Sequence, residues 1–543
     1  MAIARPSQPY PEQSWWGWGD PSQIPALPDG IRKLLIEALG VRQPSPLPAS
    51  IAEVVLPDSR LSGEVAAELG RIVGSQNVLA DAEARTRHTR GKSTLDLLRL
   101  RQHDAGNAPD LVVLPGSHEE VLAMLRVCSE RGIAVIPFGG GSSVVGGLEP
   151  DADEFAGLVA LDLRRMNALL ELDEDSRLAV LEPGLRGPEA EALLGERGYT
   201  IGHFPQSFEY ASLGGFAAAR SSGQGSSGYG RFDELVLALT VATPAGSLAL
   251  GRAPKSAAGP DLRQLILGSE GALGVITSLT VQVRPVPEER VYEGWRLASF
   301  WEGAAAVRRL VQDGPLPTVV RLSDEAETAL NLARPEDLGQ RTGSGALAII
   351  GYEGAAAEVA TRRAAVTRIL EQAGAQLDPG AGEAWARDRY RGPYLRDALL
   401  GAGALVETLE TVGFWSSLRE LYEAVSGALR SSLSAQGSAP VVLCHISHVY
   451  PAGASLYFTV GCAQLDDPVA QWRAAKAAAS DAILAAGGSI THHHGVGTDH
   501  RPWYEGEVGE LAVDVLRAIK AQLDPAGILN PGVLIPLADE PRD

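Results

Sequence analysis

The amino-acid sequence predicts an α+β fold built from two principal domains, with helical extensions at the N and C termini. A strand–helix–strand unit over residues 109–147 ends in a run of glycines. Two more glycine-rich segments follow, each beside a strand-like run. Beyond residue 288 the composition shifts to alanine-rich helical stretches that alternate with short strands. We therefore expect an N-terminal extension, a first domain, a second domain and a C-terminal segment over residues 1–105, 106–287, 288–504 and 505–543.

Composition and charge limit the classes of function. The net charge of −20 argues against nucleic acid as a partner, because phosphates require a basic surface. No apolar run approaches the roughly 18 residues of a membrane-spanning helix, and the proline-rich start is unlike a signal peptide. The three cysteines lack the spacing of metal ligands and lie in apolar surroundings. We therefore expect a cytoplasmic protein with reduced cysteines.

Periodicity and caps place the elements of the first half. Residues 31–80 carry helical periodicity that prolines interrupt, and the three tryptophans within residues 15–18 require a surface to pack against. Ser117 and Glu120 form a capping box at the start of a helix that precedes a buried strand at 133–136. Further strands and one helix are expected at 158–162, 178–181, 187–197 and 235–243.

A glycine-rich loop directly after the strand at 133–136 is the most distinctive segment. Consecutive glycines let the backbone turn sharply and point its N–H groups at an anion. The loop is not a Rossmann fingerprint, because Val144 stands where the third glycine is needed. Nor is the neighbouring segment around Gly91 a P-loop, because Thr86 replaces its first glycine. A glycine-rich surface turn is the alternative. The residues concerned are Pro137, Gly139, Gly140, Gly141, Ser142 and Ser143.

Two further segments of small residues, 205–230 and 268–277, would admit the close approach of a flat ligand or of another backbone. A disordered linker is the alternative for the first of them. The hairpin turn at 244–246 behind it favours an ordered structure. The ligand-binding candidates from these segments are Pro205, Ser207, Ser212, Gly214, Gly215, Ser221, Tyr229, Glu270, Gly271, Gly274 and Ile276.

A locally basic stretch contrasts with the acidic background. It contains Arg85, Arg87, His88, Arg90 and Lys92. A solvated helix face is its commoner explanation, and a binding site for a phosphate group is the alternative.

Three groups in the second domain are candidates for catalysis. His492, His493 and His494 precede a Gly-Val-Gly stretch that would let a substrate approach, and imidazole suits proton transfer because its pKa is about 6.5. A metal site is the other reading. Adjacent histidines on an extended chain point to opposite faces, so we expect catalytic histidines and no metal. Tyr457 lies on a strand in which apolar and polar residues alternate, and the alternative to a catalytic role is that it packs in the core. Arg321 is flanked by apolar residues and requires an anionic partner.

The three glycine-rich segments, in this order and spacing, resemble the two-part PCMH-type FAD-binding domain of the vanillyl-alcohol oxidase family. The resemblance implies that residues 137–147 wrap the FAD pyrophosphate, while 205–230 and 268–277 line the ribityl chain and the ring. It also implies an α+β cap domain over the flavin and a C-terminal segment that returns to the FAD-binding domain. No histidine lies in the 137–147 loop, so we expect non-covalent FAD. We also expect a Cβ at Gly140 to occupy the space of the pyrophosphate.

One branch of that family, the alkyldihydroxyacetonephosphate synthases, is similar to this chain over most of its length. The similarity includes the Trp-Gly-Trp-Gly entry, Arg321, Tyr457 and the three histidines. It implies an enzyme that exchanges the fatty acid of acyl-dihydroxyacetone phosphate for a fatty alcohol, through an adduct at the flavin N5, to give an ether lipid. Tyr457 and His494 would then transfer protons, His492 and His493 would shape the pocket, and Arg321 would steer the departing carboxylate or the phosphate. We further expect a small-molecule or lipid-like substrate, peripheral contact with a membrane and a homodimer.

Two other functions remain open. The stretch at 530–532 resembles the D-2-hydroxyacid dehydrogenases and oxidases of the same superfamily, which act on acids such as D-lactate or glycolate. There His494 would take the hydroxyl proton while hydride passes to the flavin, and Arg321 would hold the carboxylate. A flavin-binding protein without catalysis is disfavoured by the joint presence of arginine, tyrosine and histidine. An apolar tunnel to the flavin would favour the synthase, because a small hydroxy acid needs none.

Overall fold

The computed structural model describes residues 3–8, 11–45, 47–48, 50–330 and 344–536. Its strands are β1 (Val78–Leu79), β2 (Leu111–Val113), β3 (Ile133–Phe138), β4 (Gly157–Asp162), β5 (Leu169–Asp173), β6 (Leu178–Leu181), β7 (Tyr199–Thr200), β8 (Val236–Thr243), β9 (Gly246–Leu250), β10 (Val275–Gln282), β11 (Arg284–Pro285), β12 (Glu289–Leu297), β13 (Val319–Ser323), β14 (Ala346–Gly354), β15 (Gln376–Asp378), β16 (Ala404–Phe414), β17 (Val441–Val449) and β18 (Gly453–Ala463).

Its α-helices are α1 (Asp29–Glu37), α2 (Gly63–Val73), α3 (Ala82–Arg87), α4 (Thr94–Arg101), α5 (His118–Arg131), α6 (Gly187–Gly195), α7 (Leu213–Ala218), α8 (Ser226–Tyr229), α9 (Phe232–Leu235), α10 (Arg263–Ile266), α11 (Phe300–Asp313), α12 (Glu325–Ala329), α13 (Ala356–Gln372), α14 (Ala381–Asp388), α15 (Gly392–Gly401), α16 (Leu418–Ala435), α17 (Pro468–Ala485), α18 (Arg501–Val508) and α19 (Glu510–Leu523). Within the described ranges, no helix combines the length and the apolar character needed to cross a membrane.

Within the described residues, the first half of the chain forms two main sheets and a small antiparallel pair of β7 and β11. One has the order β1-β2-β4-β3, with β2, β4 and β3 parallel, and the other is the antiparallel sheet β5-β6-β10-β8-β9. The expected strand–helix–strand unit is present as β2, α5 and β3, and Ser117 caps α5 as predicted. The capping box is incomplete, because the Glu120 carboxylate accepts the Gly116 N–H at 2.6 Å instead of the Ser117 N–H. The helix packs through apolar residues that are completely buried, namely Val121, Met124, Leu125 and Cys128. The predicted two-part first domain is therefore confirmed.

The second half is built on an antiparallel sheet of seven strands, in the order β15-β12-β14-β13-β17-β18-β16. Side chains alternate between the two faces of a strand. Val442, Cys444 and Ile446 of β17 accordingly pack against α11, α13, α16 and α17 in the largest apolar core. The intervening residues of β17 face a cavity between this sheet and the first domain. The predicted α+β class is confirmed, and one sheet face is left to build a site.

The chain returns to the first domain after α19. The Val135 N–H of β3 donates to the Ile528 carbonyl at 2.8 Å, and the Asn530 N–H donates to the Val135 carbonyl at 2.9 Å. The Asn530 side-chain amide also donates to the carbonyls of Gly147 and Glu270, at 3.0 and 2.7 Å. The C-terminal segment thus fixes the glycine-rich loop relative to the segment at 268–277. The three cysteines are buried and unpaired.

Candidate active site

The loop after β3 presents a row of backbone N–H groups to a cavity of about 890 Å³. In the described part of the chain, the N–H groups of residues 140–143 have no acceptor, so they are free to bind an anion. Gly141 has a φ of +65°, which favours glycine. A Cβ at Gly140 would overlap the Tyr210 carbonyl oxygen. The expectation that it would fill the space of the pyrophosphate is therefore wrong, but the free N–H groups fit that group.

The other two glycine-rich segments line the same cavity. Every cofactor-binding candidate named from the sequence borders it except Tyr229. The Tyr229 hydroxyl donates to Glu353 of β14 at 2.8 Å, and its ring lies 4.1 Å from the Arg284 guanidinium. Tyr229 therefore links the two halves of the chain instead of contacting the cofactor. Glu270 borders the cavity, but its carboxylate accepts the Gly497 N–H at 2.7 Å and so fixes the segment after the histidines.

Tyr457 of β18 lies at the centre of a polar row on the cavity floor. Glu410 of β16 and His445 of β17 stand directly opposite Tyr457 in the two neighbouring strands. Opposed residues on antiparallel strands share a face of the sheet, so the three side chains lie side by side. The His445 ring stacks on the Tyr457 ring with centroids 4.8 Å apart.

Arg321 extends this row, but its charge is already balanced. Its Nη2 donates to Oε1 of Glu327 at 2.7 Å, and its Nη1 lies 3.0 Å from His445 Nε2. Burial alone would raise the pKa of Glu327, but His445 and Arg321 reverse this and lower the pKa to about 2. The carboxylate is therefore ionised and pairs with Arg321. Because Arg321 is paired in this way, little of its positive charge is left to bind a substrate carboxylate or phosphate, which is the role expected of it from the sequence. The same contacts hold His445 beside Tyr457.

The three adjacent histidines form one cluster beside β16, the edge strand of the sheet. The N–H groups of His492, His493 and His494 all donate to the Glu410 carboxylate, at 2.6, 3.0 and 3.1 Å. This shared acceptor bends the backbone, and neighbouring ring centroids lie 5.1 and 4.6 Å apart. The expectation that adjacent histidines face opposite sides is wrong, because the segment is not an extended strand.

The members of the cluster differ in position. His493 and His494 border the cavity, whereas His492 lies behind them. His492 Nε2 is 2.6 Å from the Tyr450 hydroxyl, and its Nδ1 is 2.9 Å from His493 Nδ1. Ring nitrogens of His448, His492 and His493 lie within 4.8 Å of one another, a spacing that a metal ion could accept. Both ring nitrogens of His492 already have protein partners. The expectation that no metal binds here stays a prediction.

Burial sets the protonation states at this end of the cavity. It lowers the pKa of His492 and His493 to about 4 and that of His494 to about 3, so all three rings are neutral at pH 7. Burial also raises the pKa of Tyr457 to about 12, so this residue stays a phenol. The rings of Tyr457 and His494 meet edge to face with centroids 5.8 Å apart. A neutral base and a neutral acid therefore border the same part of the cavity.

An apolar arm of the cavity leads away from the histidines along the strands. On β17, Val441 lies four residues before His445, which is about 13 Å along a strand. Gly461 of β18 lies between Val441 and Val406 in the strand register. Helices α1 and α15 cover this end. The lining residues of the arm are Ile31, Leu34, Leu35, Leu395, Leu399, Val406, Val441, Leu443 and Gly461.

Lys92 contributes a buried cation to the cavity wall. Its Nζ donates to the Ser14 carbonyl at 2.6 Å, and burial lowers its pKa to about 8, so it remains charged at neutral pH. Arg396 borders the cavity next to it and donates to the Lys92 carbonyl at 2.6 Å. Arg396 and Arg101 share the Asp397 carboxylate, at 3.1 and 3.9 Å. Two more buried carboxyl groups lie close by, Asp96 near Lys92 and Glu407 near Arg396, and burial raises the pKa of both. The three cations therefore outnumber the ionised carboxylates around them, which favours an anionic ligand.

The other members of the predicted basic cluster do not join Lys92. Arg85 donates to the Pro109 carbonyl at 2.7 Å, and His88 contacts Asp162 at 2.8 Å. Arg90 pairs with Glu149, and Arg87 pairs with Glu83 at 2.7 Å. All but Arg87 are buried. The interpretation of this stretch as a solvated helix face is therefore wrong, and of its members only Lys92 borders the cavity.

Several site residues were not identified from the sequence. His445 and His448 lie in one strand segment, His-Ile-Ser-His, and their proximity to Tyr457 could have singled them out. No pattern in the surrounding sequence distinguishes Glu327, Glu410 or Arg396. Their importance depends on partners that are distant in sequence.

Comparison with known proteins agrees with this arrangement. Residues 109–250 match the family model for the FAD binding domain, and residues 286–534 match that for the FAD linked oxidases, C-terminal domain. An alkyldihydroxyacetonephosphate synthase of Dictyostelium discoideum is 36% identical over 85% of this chain and 79% of that protein. A solved structure of an alkyldihydroxyacetonephosphate synthase superposes with a TM-score of 0.81 at 31% identity, covering 96% of this chain and 98% of the other. A mitochondrial D-lactate dehydrogenase (cytochrome) of Arabidopsis thaliana is 30% identical over 80% of this chain and 75% of that protein.

Proposed function

Because the chain belongs to the alkyldihydroxyacetonephosphate synthase family and is an FAD-dependent enzyme, we propose that it makes ether lipids. In this proposal the acyl group of acyl-dihydroxyacetone phosphate is exchanged for a fatty alcohol. The supporting observation is the apolar arm, which joins the histidine cluster to a space lined by aliphatic side chains. A long alkyl or acyl chain would fill this arm, whereas a small hydroxy acid would leave it without a ligand.

The chain's own residues suit the proton transfers of this exchange. The alcohol hydroxyl must lose a proton as its oxygen forms the new C–O bond, and the fatty acid leaves as a carboxylate. His494, neutral at pH 7, can take that proton, and Tyr457 can donate a hydrogen bond to the departing carboxylate. Bound FAD would contribute its reduced ring to the exchange and end each turnover in the redox state in which it began.

A D-2-hydroxyacid dehydrogenase is the second candidate, favoured by the similarity to a D-lactate dehydrogenase. The two candidates differ in electron balance, because a dehydrogenase deposits two electrons on FAD in each turnover and a synthase deposits none. We expect ether formation from acyl-dihydroxyacetone phosphate and hexadecanol without consumption of an electron acceptor. The parallel test mixes oxidised enzyme anaerobically with D-lactate or D-2-hydroxyglutarate and follows flavin absorbance. Rapid bleaching without any ether product would reject the synthase and leave the dehydrogenase.

Lys92 is expected to bind the phosphate of the substrate. Lys92→Met keeps the length of the side chain and removes its charge, so loss of a charged hydrogen bond should raise KM for acyl-dihydroxyacetone phosphate about tenfold or more. The value of kcat should change far less, as for a contact made equally in the ground and transition states. The alcohol carries no phosphate, and its KM is the internal control. Equal increases in both KM values would mean that Lys92 only supports the fold around Ser14.

A further inference from the structure

Glu410 is buried beneath the histidine cluster and makes an unusual set of contacts. Its side chain is 1% exposed. Oε2 accepts the N–H of His492, and Oε1 accepts the N–H groups of His493 and His494 together with the Thr491 hydroxyl at 2.7 Å. A carboxylate that accepts three consecutive backbone N–H groups dictates the local course of the chain. The contacts of Glu410 thus explain why the three rings converge.

The charge of Glu410 also lies close to the rings. Within 4.0 Å its ion-pair partners are His493 Nδ1 at 3.7 Å and His494 Nδ1 at 3.8 Å. Among the residues that the structure describes, no lysine or arginine pairs with it. Burial alone would raise the pKa of Glu410, but the histidines and the N–H groups more than offset this, so the pKa lies below its usual value. An ionised carboxylate therefore stands behind the rings that border the cavity.

We propose that Glu410 is a positioning residue for the reaction proposed above. It sets the backbone of residues 492–494, and its negative charge stabilises the imidazolium that forms when His494 takes the proton of the alcohol. The proton goes from the alcohol oxygen to the ring and leaves with solvent after the fatty acid departs, and Glu410 itself remains ionised throughout. This inference rests on the proposed function for its kinetic part only.

Other charged and titratable groups surround the same rings and stay unchanged in the variants below. They are His445, His448, Tyr450 and Tyr457 on or beside β17 and β18, His203 after β7, Arg231 before α9, Lys476 on α17, and Asp499, His500 and Glu270 in neighbouring loops.

Two substitutions separate the shape of Glu410 from its charge. Glu410→Gln preserves the size and one acceptor oxygen but removes the charge, whereas Glu410→Asp keeps the charge on a shorter side chain. Glu507→Gln is the matched control. Glu507 accepts the Ser489 hydroxyl and the Ile490 N–H at the start of the same loop, at 2.7 and 2.8 Å, and makes no ion pair with the rings. The measurements on the FAD-loaded enzymes are kcat and KM for ether formation at pH 7, and amide hydrogen exchange of residues 490–497.

We expect Glu410→Gln to lower kcat at least tenfold with less than a twofold change in KM for either substrate. The reason is that loss of the negative charge makes the ring a weaker base and its imidazolium less stable. Glu410→Asp keeps the charge and should restore much of this kcat, and Glu507→Gln should retain the kcat of the unaltered enzyme. An unchanged kcat in Glu410→Gln, or an equal loss of kcat in both Glu410 variants, would overturn the charge role. If even the unaltered enzyme forms no ether, the proposed function fails. The loop role is then decided by amide exchange, where unaltered rates in Glu410→Gln would reject it.

Discussion

Replacing His494 with alanine, or Tyr457 with phenylalanine, is expected to reduce ether formation by about 10²-fold or more, the usual scale for a general acid–base group. Both side chains border the cavity, and the proposed reaction requires the fatty acid to leave and the alcohol to arrive there. His494→Ala removes the neutral base, and Tyr457→Phe removes the hydroxyl while keeping the ring that stacks on His445. The measurement is kcat at saturating concentrations of both substrates, with FAD content determined for each variant.

His118→Ala is the control for the effect of removing an imidazole. His118 lies on α5 and contacts Thr277 and Ser247, and it does not border the cavity. The His118→Ala variant should therefore retain full activity. Wild-type turnover in His494→Ala or in Tyr457→Phe, with normal FAD content, would exclude that residue from the proton transfers.

The second large effect is expected from Gly461→Phe, which should block the apolar arm. A Cβ at Gly461 meets no atom within 4 Å, and the backbone there has no positive φ, so the substitution leaves the strand unstrained. The added ring would lie between Val406 and Val441. Each methylene kept out of the arm forfeits about 0.8 kcal/mol, so four excluded methylenes would cost about two orders of magnitude in kcat/KM.

Chain length makes this test specific. A long-chain alcohol such as hexadecanol should lose most of its kcat/KM, while a short alcohol such as butanol should be little affected. Gly427→Phe is the matched control, because Gly427 lies on the exposed side of α16 and also has no neighbour within 4 Å. An equal loss for both alcohols would mean that the arm does not hold the alkyl chain.

Local patterns were sufficient for much of the fold. The helix α5 follows from its cap and from apolar residues spaced at helical intervals, and β3 follows from an apolar run that ends at glycines. Such features depend on neighbours in sequence. The order of the seven-stranded sheet does not, because its strands pair across long separations, as β13 does with β17. Strands could therefore be predicted from the sequence, but the alignment of Glu410, Tyr457 and His445 on neighbouring strands could not.

The candidate site shows the same division. The glycine-rich loop and the three histidines are contiguous and could be found from the sequence. Whether a buried charge is available to a ligand depends on distant partners: Arg321 is paired with Glu327, and Arg90 with Glu149, whereas Lys92 adjoins a group with excess positive charge. The arrangement of the histidine rings follows from Glu410, more than 80 residues earlier in the chain.

The position of the histidine loop at the rim of the large sheet has a consequence for self-association. β16 is an outermost strand, and Ser489 pairs with Val412 on its free side. An uncovered outer strand would offer unpaired backbone groups to a second molecule, the usual origin of edge-to-edge aggregation. The segment that carries the histidines therefore also covers the edge of the sheet around Val412 against intermolecular pairing. Substitutions that loosen it to admit bulkier substrates would put the solubility of the protein at risk together with its activity.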